Sequence, residues 1–392
     1  MKIKYKINVY NFLTYALIFA IVKPYFLPEG LRQVSKICIL LCIFLFTVSK
    51  AKKNSLVNLA WLFSGCVLLS TIMAYIKGGY QLKDFLDAVL YSITFYDIYS
   101  FTGLCKEKNH FDDMLKCLYN IIALYCMLTI LSVGLTGTAN NSNQASYFFG
   151  NKFSSSYLFI FWIALYGATH KMDLWKSRIR HIVLFIFSIA FTLYIGCATA
   201  TVTLVILFIV VLIPSQKIRM LFLNEKFAVG ALLLSALIAF GMGEILKIDL
   251  INDIVSDFFE KSYTVTGRLE IYNVYLMNII RDSFWFGYGY SNSVMKSLTG
   301  LYANAQNGLL EIMVNMGFLS VIALLITVFI CFKNTSKTNK SFYISIIIYG
   351  MIIASVFEVA LNWFFLLGIC LVRWNMNIPD GITSAIRYEK TA

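Results

Sequence analysis

The chain has 392 residues, of which 59% are hydrophobic and only 14% charged, with four prolines. That balance excludes a soluble globular protein and indicates an integral membrane protein, read as one membrane domain over residues 1–392. The formal charge of +13 is carried in short basic clusters between apolar runs. Such clusters are topology signals and give no reason to expect a nucleic-acid partner.

A spanning helix needs about 20 apolar residues to cross about 30 Å of hydrocarbon. In chain order, runs of this kind cover 9–26, 34–49, 56–76, 85–104, 115–135 and 153–169. The first reads as a retained anchor, because it meets Lys23-Pro24 rather than a small-residue cleavage site. The stretch 181–214 is too long for one ordinary helix and is broken near Gly196; 227–246 and 309–332 are single runs; 341–374 is broken near Glu358. The expected fold is therefore all-α and polytopic, with about twelve transmembrane helices. Alternating them puts two thirds of the 33 Lys and Arg on one side. The positive-inside rule makes that side cytoplasmic, with both termini on it, and makes 247–308 a large extracytoplasmic loop between spans nine and ten.

Of the nine cysteines, none falls in the large loop, where a disulfide would be permitted. His110, His170 and His181 all map to inner segments without metal-ligand spacing, so neither a metal nor a cofactor is expected. The outer connection 136–152 is rich in Asn, Ser and Gly and leads into Phe153-Ser154-Ser155-Ser156-Tyr157. It suits either sugar hydroxyls or an ordinary polar turn.

The large loop opens with Asp249, Asp253 and Asp257 on one face and Ile251, Ile254, Val255 and Phe258 on another, the pattern of an amphipathic helix on the outer leaflet. Thr266-Gly267-Arg268 follows, with Thr266 as the expected N-cap of a helix carrying Leu269, Tyr272, Leu276 and Ile279. Arg268 then sits near a positive helix end, an unfavourable place for a cation unless an anion is at hand. A turn through Trp285, Gly287, Tyr288, Gly289 and Tyr290 comes next, whose glycines permit positive φ and close backbone approach to a ligand. The loop closes on Gln306-Asn307, and Glu311 lies just inside the following span, an intramembrane carboxylate and so a candidate functional group.

The ordered set of Thr266-Gly267-Arg268, Trp285 with Gly287 and Gly289, Gln306-Asn307, Leu310-Glu311 and Asn315-Met316-Gly317 resembles the superfamily of bacterial O-antigen ligases and Wzy-type O-antigen or capsular polysaccharide polymerases. The resemblance covers about residues 140–330. It implies a membrane glycosyltransferase of the bacterial cytoplasmic membrane that takes glycans from undecaprenyl diphosphate at the outer face. Polymerases of this kind join repeat units and ligases pass a chain to lipid A core. The implied chemistry is inverting, without nucleotide sugar or metal, and the implied partners are the lipid-linked oligosaccharide, the bilayer, and a chain-length regulator and flippase of the same pathway. Two departures stand out: Gln306 occupies the place of a family His, and Thr199 and Thr201 stand where relatives carry Ser-Arg.

Departure of the diphosphate leaves negative charge that, without a metal, an Arg or Lys must meet. Arg268 is the first candidate, with Arg281, Lys152, Lys261 and Arg32 in reserve. Glu311 is the expected base, in competition with Asp282 and Glu270, while Glu358 and Glu244 read as helix-packing partners. Gln306, Asn307, Tyr288, Gly287, Gly289, Arg281 and Lys152 are the expected substrate contacts. A flippase would show two related halves, which are not evident, and a non-catalytic scaffold would use 285–290 only as an interfacial anchor.

Overall fold

The computed structural model describes residues 8–22, 24–50, 59–77, 82–136, 147–213, 215–245, 267–291, 294–333 and 335–375. The expected amphipathic helix with Asp249, Asp253 and Asp257, and also Lys261 and Thr266, lie outside these residues.

The described residues are helical, with one isolated β-bridge, Tyr147 to Gly150. The elements are α1 (Val9–Ile21), α2 (Glu29–Lys50), α3 (Ala60–Ile76), α4 (Leu82–Glu107), α5 (Phe111–Thr136), α6 (Lys152–Thr169), α7 (Trp175–Tyr194), α8 (Ala198–Leu212), α9 (Gln216–Leu221) and α10 (Glu225–Ile245). Then come α11 (268–282), α12 (Val294–Thr299), α13 (Gly308–Lys333), α14 (Asn339–Ser355) and α15 (Trp363–Trp374). Both overlong apolar stretches break where the sequence suggests, at Gly196 (φ 66°) and across 356–362.

Among the described residues five helices, α2, α5, α7, α10 and α13, are long and apolar enough to cross a membrane, and five shorter apolar helices accompany them. The chain is an integral membrane protein. The share of buried residues is only 22–33% along α2, α5, α7 and α10, against 61% along α13. Exposed side chains such as Leu45, Leu131, Ile186 and Leu237 mark the outer helices as lipid-facing. The helices α4 and α6 fall below the same hydropathy because they are central and carry buried polar groups, among them Asp97 and Thr102 on α4 and Ser155 and Ser156 on α6. Hydroxyls here return to their own backbone, as Thr102 Oγ1 does to the Ile98 carbonyl at 2.6 Å. Close helix approach depends on small residues: a Cβ on Gly350 of α14 would lie 2.7 Å from Ile160 of α6.

Contacts between the connections sort into two ends. At one end Asn8 meets His110 (3.4 Å), Arg219 donates to Asn339 (2.7 Å), Lys340 pairs with Asp112, and Ser336 donates to the Asn375 carbonyl. At the other, the Tyr25 amide donates to the Phe148 carbonyl (2.9 Å), Ser291 to Asp84 (3.0 Å) and Arg268 to Glu358 (2.8 Å). The first group joins connections expected inside, the second those expected outside.

Candidate functional site

The site is built where four connections meet at the second end. Gly267, with φ 81°, takes the N-cap position expected of Thr266, so α11 starts one residue later and Arg268 occupies its first helical position. The helix is not regular: Ile271–Leu276 form a π-helical segment, a widening that recurs at functional sites. It places Tyr272 in the core, with its hydroxyl donating to the Gln306 carbonyl at 3.0 Å.

The Arg268 guanidinium turns away from its own helix start and crosses to the break after α14. Its Nε and Nη2 donate to the Phe357 carbonyl at 3.1 and 2.8 Å, and Nη2 also donates to Glu358 Oε1 at 2.8 Å. The side chains are 10% and 12% exposed. A cation awkward at one helix N-terminus is thus relieved at the C-terminal end of another, beside a carboxylate. The anion inferred from the placement of Arg268 is present within the protein, and it is Glu358.

Around this pair lie Tyr157 and Cys197, with Lys152 on the far side of Cys197. Tyr157 is in electrostatic reach of Glu358, Cys197 and Arg268; Cys197 is in reach of Glu358 and Lys152. Asn151 caps α6 by accepting from the Ser154 amide at 3.0 Å, which holds the buried Lys152 in the first turn. The phenols of Tyr147 and Tyr157 and the Ser155 hydroxyl are buried with no hydrogen-bond partner among the described residues. The outer end of α6 therefore presents unsatisfied donors beside a cation.

The other expected residues have structural employment. Asn307 is fully buried and caps α13, its Oδ1 accepting from the Leu309 and Leu310 amides at 3.0 and 3.1 Å while its Nδ2 donates to the Ser235 carbonyl at 3.0 Å. Gln306 takes φ 54° to feed the chain into that cap. Glu311 accepts from the Ala305 amide at 2.6 Å and from Asn315 Nδ2 at 2.9 Å, tying the end of the loop to the helix. Arg281 is exposed. The competing carboxylate Glu270 accepts a hydrogen bond from Tyr302, which pushes that exposed phenol up to about 12.

The aromatic turn is held to the kink of α13 rather than left open to a ligand at Gly287. Gly287 (φ 64°) and Gly317 (φ 74°) pack backbone to backbone, and a Cβ on Gly287 would stand 2.6 Å from Gly317 N and Val314 O. The Tyr288 amide donates to the Val314 carbonyl at 3.0 Å and the Phe318 amide to the Phe284 carbonyl at 2.9 Å. The two glycine motifs thus form one lock. Tyr288 is half-buried with its hydroxyl 3.3 Å from the Ile279 carbonyl, and Gly289 keeps φ 89°.

The role of Glu358 escaped sequence reasoning, although the signal was there: a carboxylate inside an apolar stretch requires a partner, and Arg268 was in want of one. No curated protein and no solved structure matches the chain. A family model described as O-antigen ligase matches residues 182–325, a segment that holds Arg268, the glycine lock, Asn307 and Glu311 and leaves out Lys152 and Glu358. Over residues 182–325, therefore, the chain is similar to the O-antigen ligase family.

Proposed function

We propose that the protein is a polysaccharide polymerase that joins undecaprenyl-diphosphate-linked repeat units at the outer face of the bacterial cytoplasmic membrane. In this reading the chain crosses the membrane twelve times and both termini are cytoplasmic, so that 247–308 and the Arg268 site face outwards. The observation that carries the reading is the buried Arg268–Glu358 pair at the end of the bundle, within reach of the Tyr157 phenol, which has no hydrogen-bond partner among the described residues.

The reaction is an inverting displacement. A hydroxyl of the acceptor glycan attacks the anomeric carbon of the donor, the bond from that carbon to the diphosphate oxygen breaks, and the diphosphate leaves with the electron pair. Arg268 meets the charge that develops, since a guanidinium gives a permanently charged, bidentate contact to phosphate. As its fork turns to the phosphate, the Glu358 carboxylate is released to take the acceptor proton. We assign that proton to Glu358 rather than to Glu311, which is committed to Ala305 and Asn315. Lys152 contributes a second positive charge on the α6 side, and the buried Tyr157 phenol a donor to sugar oxygens.

The family description favours one second reading, transfer of a finished chain to a lipid A core acceptor. One experiment separates them. Purified protein in liposomes is supplied with undecaprenyl-diphosphate repeat units, with or without lipid A core, and products are resolved on a gel. A ladder without lipid A core supports polymerisation; product only with lipid A core replaces it by ligation; no product in either case refutes both.

A further inference from the structure

The turn 283–288 lies against the flank of a spanning helix, and that helix gives its depth. From Phe318, just past the kink of α13, to the exposed Lys333 at its inner end, the helix rises about 22 Å at about 1.5 Å per residue. The hydrocarbon core is about 30 Å thick, and any tilt of the helix only shortens its projected height. Phe318 therefore lies inside the outer leaflet, roughly 8 Å beneath its boundary.

Phe318 also begins a lipid-facing stripe, since Ile322 and Ile326 follow it at i+4 and i+8, 36% and 41% exposed. The aromatic side chains of the turn extend that stripe. The Phe284 and Trp285 rings lie 4.8 and 6.0 Å from the Phe318 ring, yet they remain 38% and 56% exposed. Arg281 and Asp282, exposed as well, come just before them, so that charge gives way to aromatic surface within one helical turn.

The backbone of the turn meets the demand that lipid makes. Hydrocarbon offers no water to bond, so irregular backbone at membrane depth must be satisfied within the protein. The Phe284 carbonyl accepts from the Phe318 amide at 2.9 Å and the Trp285 carbonyl from the Leu319 amide at 3.3 Å. The Phe286 carbonyl accepts from the Ser70 hydroxyl on α3, and the Gly287 carbonyl from the Ser283 hydroxyl. Four successive carbonyls are thus paired within the protein, where a turn standing in water could leave them to solvent.

We propose that the turn 283–288 is a wedge inserted into the outer leaflet, with the Phe284 and Trp285 side chains among phospholipid acyl chains and Arg281 at its rim. The segment 247–308 is then not wholly a loop in water. It returns to the membrane at this turn, which holds the C-terminal end of α11, the helix that begins with Arg268, to the leaflet. This rests on α13 spanning the membrane and not on which glycan transfer the protein performs.

The test is quenching of tryptophan fluorescence in the full-length protein in phosphatidylcholine liposomes. The Trp285 signal is the difference between wild type and Trp285→Phe, a substitution that keeps an aromatic ring at the site. Phosphatidylcholine brominated along its acyl chains should remove most of this signal, whereas iodide in the water should remove little. Leu301→Trp in the Trp285→Phe background, at a position 69% exposed, should behave in the opposite way. Quenching of Trp285 by iodide to the extent seen at residue 301, with none from brominated lipid, would put the turn in water and overturn the proposal. Quenching by neither would mean that protein, such as a second copy of the chain, covers this face, and would overturn it as well. Cysteines at Phe284 and Ile322 supply a second measure. Neither should react with an impermeant maleimide under conditions that label Leu301→Cys, and labelling of Phe284→Cys without Ile322→Cys would separate the turn from the lipid-facing stripe and refute the wedge.

Discussion

Replacement of Arg268 tests the site most directly, because its two effects can be told apart. Arg268→Ala removes both contacts to the Phe357 carbonyl and the 2.8 Å bond to Glu358. It leaves a carboxylate, 12% exposed, with its cationic partner gone. Breaking a buried pair from one side costs about 3–5 kcal/mol of stability. If Arg268 also stabilises the departing diphosphate, the transition state loses roughly 3–4 kcal/mol, about two to three orders of magnitude in rate. The double variant Arg268→Ala/Glu358→Gln removes the orphaned charge, so most of the lost stability should return while the glycan ladder should not. Arg268→Lys should recover only part of the rate, since a point charge cannot reproduce the fork. The assay pairs the unfolding midpoint in detergent with initial rates of ladder formation, measured at saturating donor. A double variant that regains the wild-type ladder would show that Arg268 serves only as the counter-ion of Glu358, and would end the mechanism proposed above.

Three further outcomes follow from the packing. Gly317→Ala places a Cβ against the Trp285 carbonyl at a positive φ, so the lock to the 283–288 turn should open; the expected result is lower accumulation in the membrane, and an unaltered unfolding midpoint would remove the lock from the account. Asn307→Ala deletes the cap of α13 and the bond to Ser235, which should cost about 1–2 kcal/mol in detergent unfolding with the ladder retained at permissive temperature; loss of the ladder at full stability would return Asn307 to the substrate. Single cysteines at Leu301 and Lys337, both exposed, should react with an impermeant maleimide from outside and only after permeabilisation, respectively; labelling of Lys337→Cys in intact cells would invert the proposed topology.

Much of the molecule could be read along the chain. The membrane class, the apolar runs and the breaks at Gly196 and Glu358 follow from hydropathy, a property of neighbouring residues in which lipid leaves the backbone few alternatives to helix. A helix starting near Arg268 and the ordered loop motifs were legible in the same way, though its cap is Gly267 and not Thr266. The glycine motif at 285–290 was recognised as special, but its partner was not. A positive φ says that the backbone must come close to something, and only the folded chain shows that this is the kink at Gly317.

The sequence alone determined the candidates: one arginine in an uncomfortable place, an acid stranded in an apolar stretch and an Asn before a helix. Tertiary structure decided which of them belong together. Arg268 and Glu358 are 90 residues apart and meet because α11 abuts the break after α14, while Asn307 and Glu311 are drawn into capping and loop closure. The physical reason is that helix formation in a membrane is settled locally by hydrogen bonding and hydropathy, whereas the partner of a buried charge depends on which helix ends the whole bundle brings to the same place.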